Sequence, residues 1–335
     1  MNQIWKTFLL TQKATFESDA HITFPMISDG NDKKIYPIEH LAILKISGND
    51  ADKLLQGQVT CNINDITEFK SSLGALCNPK GRAITTFLLV KTPDAFLMVL
   101  PKELLATIQK RLQMYILRSA VTLTDCTEKL CLLGLSQAKK EDESLFDTSE
   151  KDVISVNFSV NECRHLIIAE TDKAINIWSE YVNNQEFLPT SSEQWRYLDI
   201  LSGLPWLTTE TTEEFIPQML NLDQLGGISY NKGCYTGQEI VARTHYLGKT
   251  KRALFPAECI TTITPAPNST IIDISTGTEQ TIAKVLLAQQ SPVTTETNAN
   301  SVKMLIVLQL AENDTYKLIL DDDNRTQVTL LTQPL

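Results

Sequence analysis

The order of strand-like and helix-like segments between residues 41 and 125 most constrains the fold of this chain. "LAILKI" at residues 41–46 is typical of a buried strand, and "SGNDADKLLQG" follows with cap residues and a terminal glycine, as in a helix. "RAITTFLLV", "AFLMVL" and "AVTLTD" predict further strands. A helix starting at Pro101 precedes the last of them, and six apolar residues share one of its faces: Leu104, Leu105, Ile108, Leu112, Tyr115 and Ile116. This split β-α-β order predicts an α+β domain.

A second region repeats these elements. "KLCLLGL", "VISVNFS" and "RHLIIAE" predict strands, and "TDKAINIWSEYV" and "SEQWRYLDILSG" predict helices. The second helix ends at Gly203, with Pro205 beyond it. Residues 137–152 are polar and predict a loop or a helical insertion. A second α+β region is therefore expected.

The amino-acid composition changes after Gly248. Thr, Pro and Asn become frequent, and short strand patterns such as "STIIDIS", "TIAKVLLA" and "VKMLIVLQL" are separated by turn residues. This predicts a small β-barrel or sandwich, with a boundary near residues 249–252. Three regions follow: residues 1–125 are mainly the first α+β region, 126–250 mainly the second, and 251–335 the barrel.

Charge and cysteine content exclude several classes of protein. The 335 residues include 30 basic and 40 acidic ones, a formal net charge of −10, so nucleic-acid binding would need a local basic patch. The seven cysteines form no C-x-x-C pair and fit no common zinc pattern, which predicts reduced thiols in a cytoplasmic protein without a metal site. The sequence has neither a signal-peptide pattern nor an apolar stretch of ~20 residues, so no membrane role is expected.

The segment "NKGCYTGQEIVART" at residues 231–244 is the densest in reactive and conformationally permissive residues. Its glycines allow tight turns, and "QEIVARTHYL" predicts a helix whose first N–H groups are unpaired. Cys234, beside Lys232 and this helix start, is placed to be a reactive thiolate. The alternative is an ordinary turn with a buried cysteine.

The same residues carry a resemblance to a family. "KGCYTGQE" at residues 232–239 resembles the signature of the YgfZ family, which is related to the glycine-cleavage T-protein. Further pieces agree in order: "LQGQVTCNI" (55–63), "NPKGR" (78–82), "EQWRYLDILSGLPWL" (193–207), "FIPQMLNLDQLGGISYN" (215–231) and "GKTKRAL" (248–254). The resemblance thus covers nearly the whole chain.

The resemblance implies a T-protein-like fold. Two interleaved ferredoxin-like α+β domains and a C-terminal β-barrel would form a cloverleaf around a central channel that resembles a tetrahydrofolate site. It also implies a folate-binding protein that supports iron–sulphur-dependent tRNA thiomethylation, with iron–sulphur enzymes of tRNA modification as partners. A turnover of its own is not required by this role.

Site residues follow from the matched positions. Trp195 matches a tryptophan linked to folate in the family, although a helical face shared with Leu198 and Leu201 equally predicts a core residue. The resemblance places the other folate residues mainly in the signature: Lys232, Gly233, Tyr235, Gly237, Gln238, Glu239 and Arg243. Cys234 and Lys232 are the candidate catalytic residues. Cys234 is expected at the mouth of the channel with its sulphur reachable, because its neighbours are polar.

Three departures from the family pattern bear on the chemistry. Leu41, which the resemblance also assigns to the folate site, stands where the family has a second folate-linked tryptophan, and this departure removes a stacking surface. Thr85 or Thr86 stands where the T-protein has a carboxylate, and Leu201 stands where relatives have a glutamate. A threonine cannot act as a charged partner of a folate nitrogen, so aminomethyl transfer is not expected.

A short basic stretch interrupts this acidic chain. Arg243, His245, Lys249, Lys251 and Arg252 lie within ten residues. They would suit the glutamate tail of folate or an RNA phosphate, and a direct contact with RNA is not expected to be strong. A solvated helix end explains them equally well.

Three functions therefore compete. The first is a folate-binding accessory protein for iron–sulphur and tRNA-modification pathways. The second is a folate-dependent C1 transferase, against which the departures at Thr85, Thr86 and Leu201 argue. The third is an iron–sulphur interaction module acting through Cys234.

Overall fold

A computed structural model describes residues 1–18, 21–25, 32–138, 144–150, 153–158, 163–248, 250–275, 277–292, 300–310 and 316–331. The chain forms two compact units. The first unit comprises residues 1–55, 62–72 and 87–195, and the second unit comprises residues 56–61, 73–86 and 196–335.

The described residues contain six α-helices. They are α1 (Gln3–Thr11), α2 (Ala51–Gln56), α3 (Leu105–Ile116), α4 (Thr171–Asn183), α5 (Ser192–Leu201) and α6 (Gln238–Leu247). The last five confirm the helices expected from periodicity and capping signals. No helix in the described part of the chain is both long and apolar enough to cross a bilayer.

Strands make up most of the remaining regular structure. Those that lie wholly in the first unit are β1 (Thr15–Ser18), β2 (His21–Thr23), β3 (Lys34–Pro37), β4 (Leu41–Ser47), β7 (Ala95–Pro101), β8 (Thr122–Asp125), β9 (Leu130–Gln137), β10 (Thr148–Glu150), β11 (Ile154–Asn157), β12 (Cys163–Glu170) and β13 (Leu188–Pro189). Most of β5 (Ser72–Cys77) and the first four residues of β6 (Ala83–Thr92) belong to the second unit.

A six-stranded sheet forms one half of the first unit, in the order β10-β11-β12-β9-β3-β13. Strand β3, from the N-terminal part of the chain, pairs antiparallel with β9. Helices α1 and α4 contribute to its core, where Trp5 and Trp178 are fully buried with ring centroids 5.7 Å apart. The N-terminal region therefore completes a sheet built mainly from residues 130–170.

The other half of the first unit contains β6, β7, β4 and β8 side by side. Helix α3 lies near β4, and its buried residues recur at three- and four-residue spacing: Leu105, Ile108, Leu112 and Ile116. Tyr115 was expected on this face, but 38% of it is exposed. Each helical residue turns by about 100°, which places Tyr115 at the edge of the stripe. That expectation is wrong.

The second unit ends in a closed barrel of six strands, in the order β14-β17-β16-β15-β18-β19. Their bounds are β14 (Arg252–Ile260), β15 (Thr270–Asp273), β16 (Gln280–Gln290), β17 (Ser301–Gln309), β18 (Leu318–Leu320) and β19 (Gln327–Leu330). Alternate apolar side chains fill the interior, including Val285, Met304 and Ile306. The barrel expected after Gly248 is confirmed.

One expectation for the first unit needs correction. Residues 137–152 were expected to form a loop or a helical insertion. Part of this segment, β10, is a strand that pairs antiparallel with β11. The strand was not recognised from the sequence because the segment is polar, and a short edge strand needs few apolar residues. Residues 139–143 and 151–152 lie outside the described residues.

Candidate functional site

Two segments of the second unit lie against the loop that precedes α6, residues 231–237, which we call the signature loop. The Thr236 amide donates to the Gly57 carbonyl (3.3 Å), and the Thr236 hydroxyl donates to the side-chain oxygen of Gln58 (3.3 Å). The turn at residues 78–82 contacts the end of the same loop. Folding therefore brings together three motifs that are far apart in sequence.

Lys232 anchors the start of the signature loop. Only 8% of this residue is exposed, and its ammonium donates to the carbonyls of Val59 and Cys61, each at 2.7 Å. Burial lowers the pKa of Lys232 to about 8, and the nearby Cys61 thiol acts in the opposite direction. The ammonium thus satisfies two buried carbonyls in place of water.

Tyr235 anchors the other side of the loop. It is buried, and its ring centroid lies 5.1 Å from the Lys232 Nζ atom, within the range of a cation–π contact. Its hydroxyl is buried and makes no hydrogen bond to any described residue. Burial is also the main cause that raises the pKa of Tyr235. The phenol is therefore neutral and inward-facing, without a surface for a stacked ligand.

Gly237 closes the loop and begins α6. Its φ of +85° lies in the left-handed region, and a Cβ there would lie 2.5 Å from the Asn78 carbonyl oxygen and 3.0 Å from the Gly81 Cα. Gly81 has a φ of +71°, and a Cβ on it would lie 2.8 Å from Ile240 Cβ. Two glycines thus allow the turn at residues 78–82 to approach the helix start.

Cys234 is exposed between the two buried anchors, whereas the other six cysteines are buried. This confirms the expectation of a reachable sulphur, and the alternative of a buried cysteine in an ordinary turn is wrong. An exposed thiol can act as a nucleophile, a redox group or a metal ligand. Lys232 was expected to favour its thiolate. The two hydrogen bonds of the ammonium go to main-chain carbonyls, so that role stays a prediction.

Gly233, Gln238, Glu239 and Arg243 complete the predicted set around the thiol. Gly233 is exposed, with open space where a Cβ would be. Gln238, at the first position of α6, is half-buried, while Glu239 and Arg243 are exposed and four residues apart, on one side of the helix. This side offers a carboxylate and a guanidinium to solvent.

Sequence reasoning missed Thr60, which is fully buried behind the loop. Its hydroxyl donates to the Gly227 carbonyl (2.6 Å) and accepts from the Ala75 amide (2.8 Å), and its carbonyl accepts from the Ser229 amide. A threonine in the apolar "VTC" stretch was a usable signal, because a buried hydroxyl requires partners.

The threonines expected at the carboxylate position of the T-protein make structural contacts. Thr85 and Thr86 are fully buried, and the Thr86 hydroxyl donates to the Pro205 carbonyl (2.6 Å). Asp199 is buried and accepts from the Trp206 indole N–H (2.9 Å). Leu201 is 47% exposed. Neither threonine hydroxyl carries a charge, and the expected loss of aminomethyl transfer chemistry stays a prediction.

Trp195 belongs to the first unit and is 0% exposed. The guanidinium carbon of Arg164 lies 4.0 Å from its ring centroid, and Tyr36 and Phe158 pack nearby. A Cβ on Gly134 would lie 2.2 Å from its ring. The core alternative considered for Trp195 accounts for these contacts.

Leu41 offers no ligand surface either. It is 2% exposed in β4, opposite Pro101 of β7. Its role in folate binding stays a prediction that these contacts do not favour.

The predicted basic stretch is only partly described. Arg243 and Lys251 are exposed and Arg252 is half-buried, while Lys249 lies outside the described residues. No group of three or more His, Cys, Asp or Glu suited to a metal ion occurs among the described residues.

This chain is similar to several bacterial tRNA-modifying proteins. The tRNA-modifying protein YgfZ of Colwellia psychrerythraea is 35% identical over 243 residues, which cover 69% of this chain and 73% of that protein. The proteins of the same name from Hamiltonella defensa and Enterobacter sp. are 36% and 34% identical, over 64% and 65% of this chain and 66% and 69% of their own lengths. No family model matches the chain.

The fold has a solved counterpart. The glycine cleavage system aminomethyltransferase T from Bartonella henselae aligns over 99% of this chain and 97% of its own, with a TM-score of 0.76 and 13% identity. The likeness confirms the expected T-protein-like α+β fold with its C-terminal barrel.

Proposed function

Because this chain belongs to the YgfZ family, we propose that it is an accessory protein of tRNA modification that binds a reduced folate and supports iron–sulphur-dependent thiomethylation. The observation that carries the proposal is the signature loop, where the exposed Cys234 thiol stands between buried Lys232 and Tyr235. Relatives named as tRNA-modifying proteins support the pathway.

The thiol is the group through which the loop would act. Because its two neighbours are buried and fixed, the cysteine is held in place at the surface, where a partner can reach it. Deprotonated, it could attack an electrophilic centre or donate an electron pair to an iron atom held by a client enzyme. Both actions need one accessible sulphur and no further cysteine of this chain.

The folate part of the proposal depends on which residues fit the ligand. Trp195 and Leu41 are buried and present no stacking surface, so they do not fit the pteridine ring. Glu239 and Arg243 fit better, because a carboxylate accepts hydrogen bonds from ring N–H groups and a guanidinium pairs with glutamate-tail carboxylates. We therefore assign tetrahydrofolate binding to this side of α6, and no catalytic step is routed through it.

Calorimetry with tetrahydrofolate tests this assignment. Arg243→Met and Glu239→Gln are each expected to weaken binding about 10- to 100-fold, the effect of losing one charge-assisted contact of about 1.5–3 kcal/mol. Trp195→Phe, which keeps a buried aromatic ring, is expected to bind as the wild type does. Absence of binding to the folded wild type at millimolar ligand would remove folate from the proposal.

Complementation of a deletion strain, scored by tRNA thiomethylation, tests the thiol. Cys234→Ala is expected to abolish the modification, whereas Asn231→Ala, an exposed change in the same loop, is expected to preserve it. Full modification by Cys234→Ala would show that the thiol is dispensable.

A second candidate function, an iron–sulphur interaction module, is favoured by the exposure of Cys234. Clusters usually need four thiolates, so one exposed cysteine would share a cluster with a partner. Anaerobic reconstitution with iron and sulphide, with and without Cys234→Ala, tests it. Equal absorbance in both proteins would leave Cys234 another role.

A folate-dependent C1 transferase is the third candidate. Neutral Thr85 and Thr86 at the carboxylate position argue against it, since neither can hold a charged partner. Formation of methylene-tetrahydrofolate from an aminomethyl donor would reverse this ranking.

A further inference from the structure

Three aromatic rings are in mutual contact at the C-terminal end of α6, two from the helix itself and one from the residue that precedes the signature loop. Tyr230 and His245 are stacked, with centroids 3.7 Å apart and planes 13° from parallel. Tyr246 stands nearly perpendicular to His245, with centroids 4.8 Å apart. We call these three residues the aromatic platform.

The platform is open to solvent, unlike the aromatic cores of the two units. Tyr246 is 62% exposed, Leu247 next to it is 83% exposed, and His245 is also exposed. Tyr230 is half-buried beneath the stack, and Gln218 donates weakly to its hydroxyl (3.5 Å). Since Tyr230 covers one face of the imidazole, the other face can take a further flat group. Neighbouring exposed aromatic and apolar side chains of this kind form a candidate binding surface.

Cationic residues lie close to the platform along this otherwise acidic chain. Arg243 precedes Tyr246 by three residues and so lies on its side of the helix, and exposed Lys251 and half-buried Arg252 follow shortly after α6. The acidic group that acts on Tyr230 is Asp223, whose charge adds to burial in raising the pKa of that phenol. The formal charge of the whole chain is −10, so this concentration of cations is local.

Exposed aromatic faces beside cations are the chemistry that recognises unpaired nucleotides. Bases stack on aromatic rings, and Lys and Arg contact the phosphates between them. An acidic peptide would use the cations but would leave the flat faces without a matching group. A base-paired stem would present phosphates but no free base faces.

We propose that the aromatic platform binds single-stranded RNA, with a base stacked on the open face of His245 and against Tyr246. This deepens the proposed function, on which it rests, by assigning a direct contact with an unpaired region of the tRNA substrate. His245 and Tyr246 lie in the last turn of α6 and Tyr230 directly precedes the signature loop, so this helix and this loop would connect RNA binding with the Cys234 thiol.

Fluorescence anisotropy with a labelled single-stranded RNA of about ten nucleotides, and with the same strand in a duplex, tests the inference. Tyr246→Ala and His245→Ala are each expected to weaken single-strand binding about tenfold, within the range for loss of one base stack of 1–3 kcal/mol. Tyr115→Ala, which removes an exposed aromatic ring from α3 in the first unit, is the matched control and should bind as the wild type does.

Three results would overturn the inference: equal affinity of wild type and Tyr246→Ala, equal loss in the Tyr115→Ala control, or preference for the duplex. Circular dichroism and melting temperature establish that each variant is folded. Failure here is separable from failure of the proposed function, because Tyr246→Ala should keep folate binding, whereas Cys234→Ala should keep RNA binding and lose thiomethylation. If Cys234→Ala modifies tRNA fully while Tyr246→Ala loses RNA affinity, the thiol proposal fails and the platform stands.

Discussion

Substitution of Lys232 by methionine tests the central feature of the signature loop, an ammonium buried on two carbonyls. At pH 7 two effects oppose each other. Methionine removes the cost of burying a charge, but it leaves the Val59 and Cys61 carbonyls without their donor. The sign of the stability change at one pH is therefore not diagnostic, whereas its pH dependence is.

The expected pH dependence follows from the lowered pKa. The folded value is about 8 and the reference value is 10.5. Between them the unfolded chain binds more protons than the folded chain, so this lysine makes the free energy of unfolding rise with pH. Below pH 8 the group is charged in both states and the burial cost is fully present. Relative to pH 7, the gain is about 1 kcal/mol at pH 9 and about 2–3 kcal/mol at pH 10.

Denaturant unfolding of wild type and Lys232→Met at pH 7, 8, 9 and 10, with reductant present, measures this gain. Other titrating groups contribute equally to both proteins, so the difference between the two curves isolates Lys232. Lys80→Met, in the exposed turn of the same unit, is the control and should run parallel to the wild type. Parallel curves for Lys232→Met would show that the ammonium is hydrated and that the described anchor is wrong.

Three further predictions concern the surroundings of this anchor. Gly237→Ala should destabilise the protein by about 2–4 kcal/mol, from a left-handed φ and a Cβ 2.5 Å from a carbonyl oxygen, while Gly233→Ala, in open space, should leave the melting temperature nearly unchanged. Trp206→Phe should cost about 1–3 kcal/mol in denaturant unfolding, because buried Asp199 loses an N–H donor. Iodoacetamide should add one label to the native protein at Cys234, as measured by intact mass, and none to Cys234→Ser; rapid labelling of several thiols would contradict the burial of the other six.

Local patterns were enough to predict most elements of the fold. Helix α6 was expected from its glycines and its polar start, and the barrel from short strands separated by turns, because both signals depend on neighbouring residues. The error at Tyr115 arose at the edge of a helical stripe, where a difference of one residue decides between core and solvent. Strand β10 was missed since its partners, and not its own composition, fix it in the sheet.

The candidate site was predictable in its parts but not in its assembly. Motif residues identified the signature loop, yet the bonds from Lys232 to Val59 and Cys61 join residues more than 170 positions apart. No periodicity carries such information. The sequence was compatible with either a ligand-binding or a core role for Trp195. Its contacts with Arg164 and Gly134, which the sequence does not reveal, favour the core.

The alternation of exposure along the signature loop explains why one cysteine of seven is singled out. Lys232 and Tyr235 are drawn inward by carbonyl and apolar partners, and the chain between them must arch outward. Cys234 occupies this arch, so its exposure is enforced by its neighbours and does not depend on its own contacts. A thiol held in this way needs no partner within the loop to stay accessible. The contacts of Lys232 favour a positioning role, and the chemistry of the Cys234 sulphur is the part that the proposal assigns.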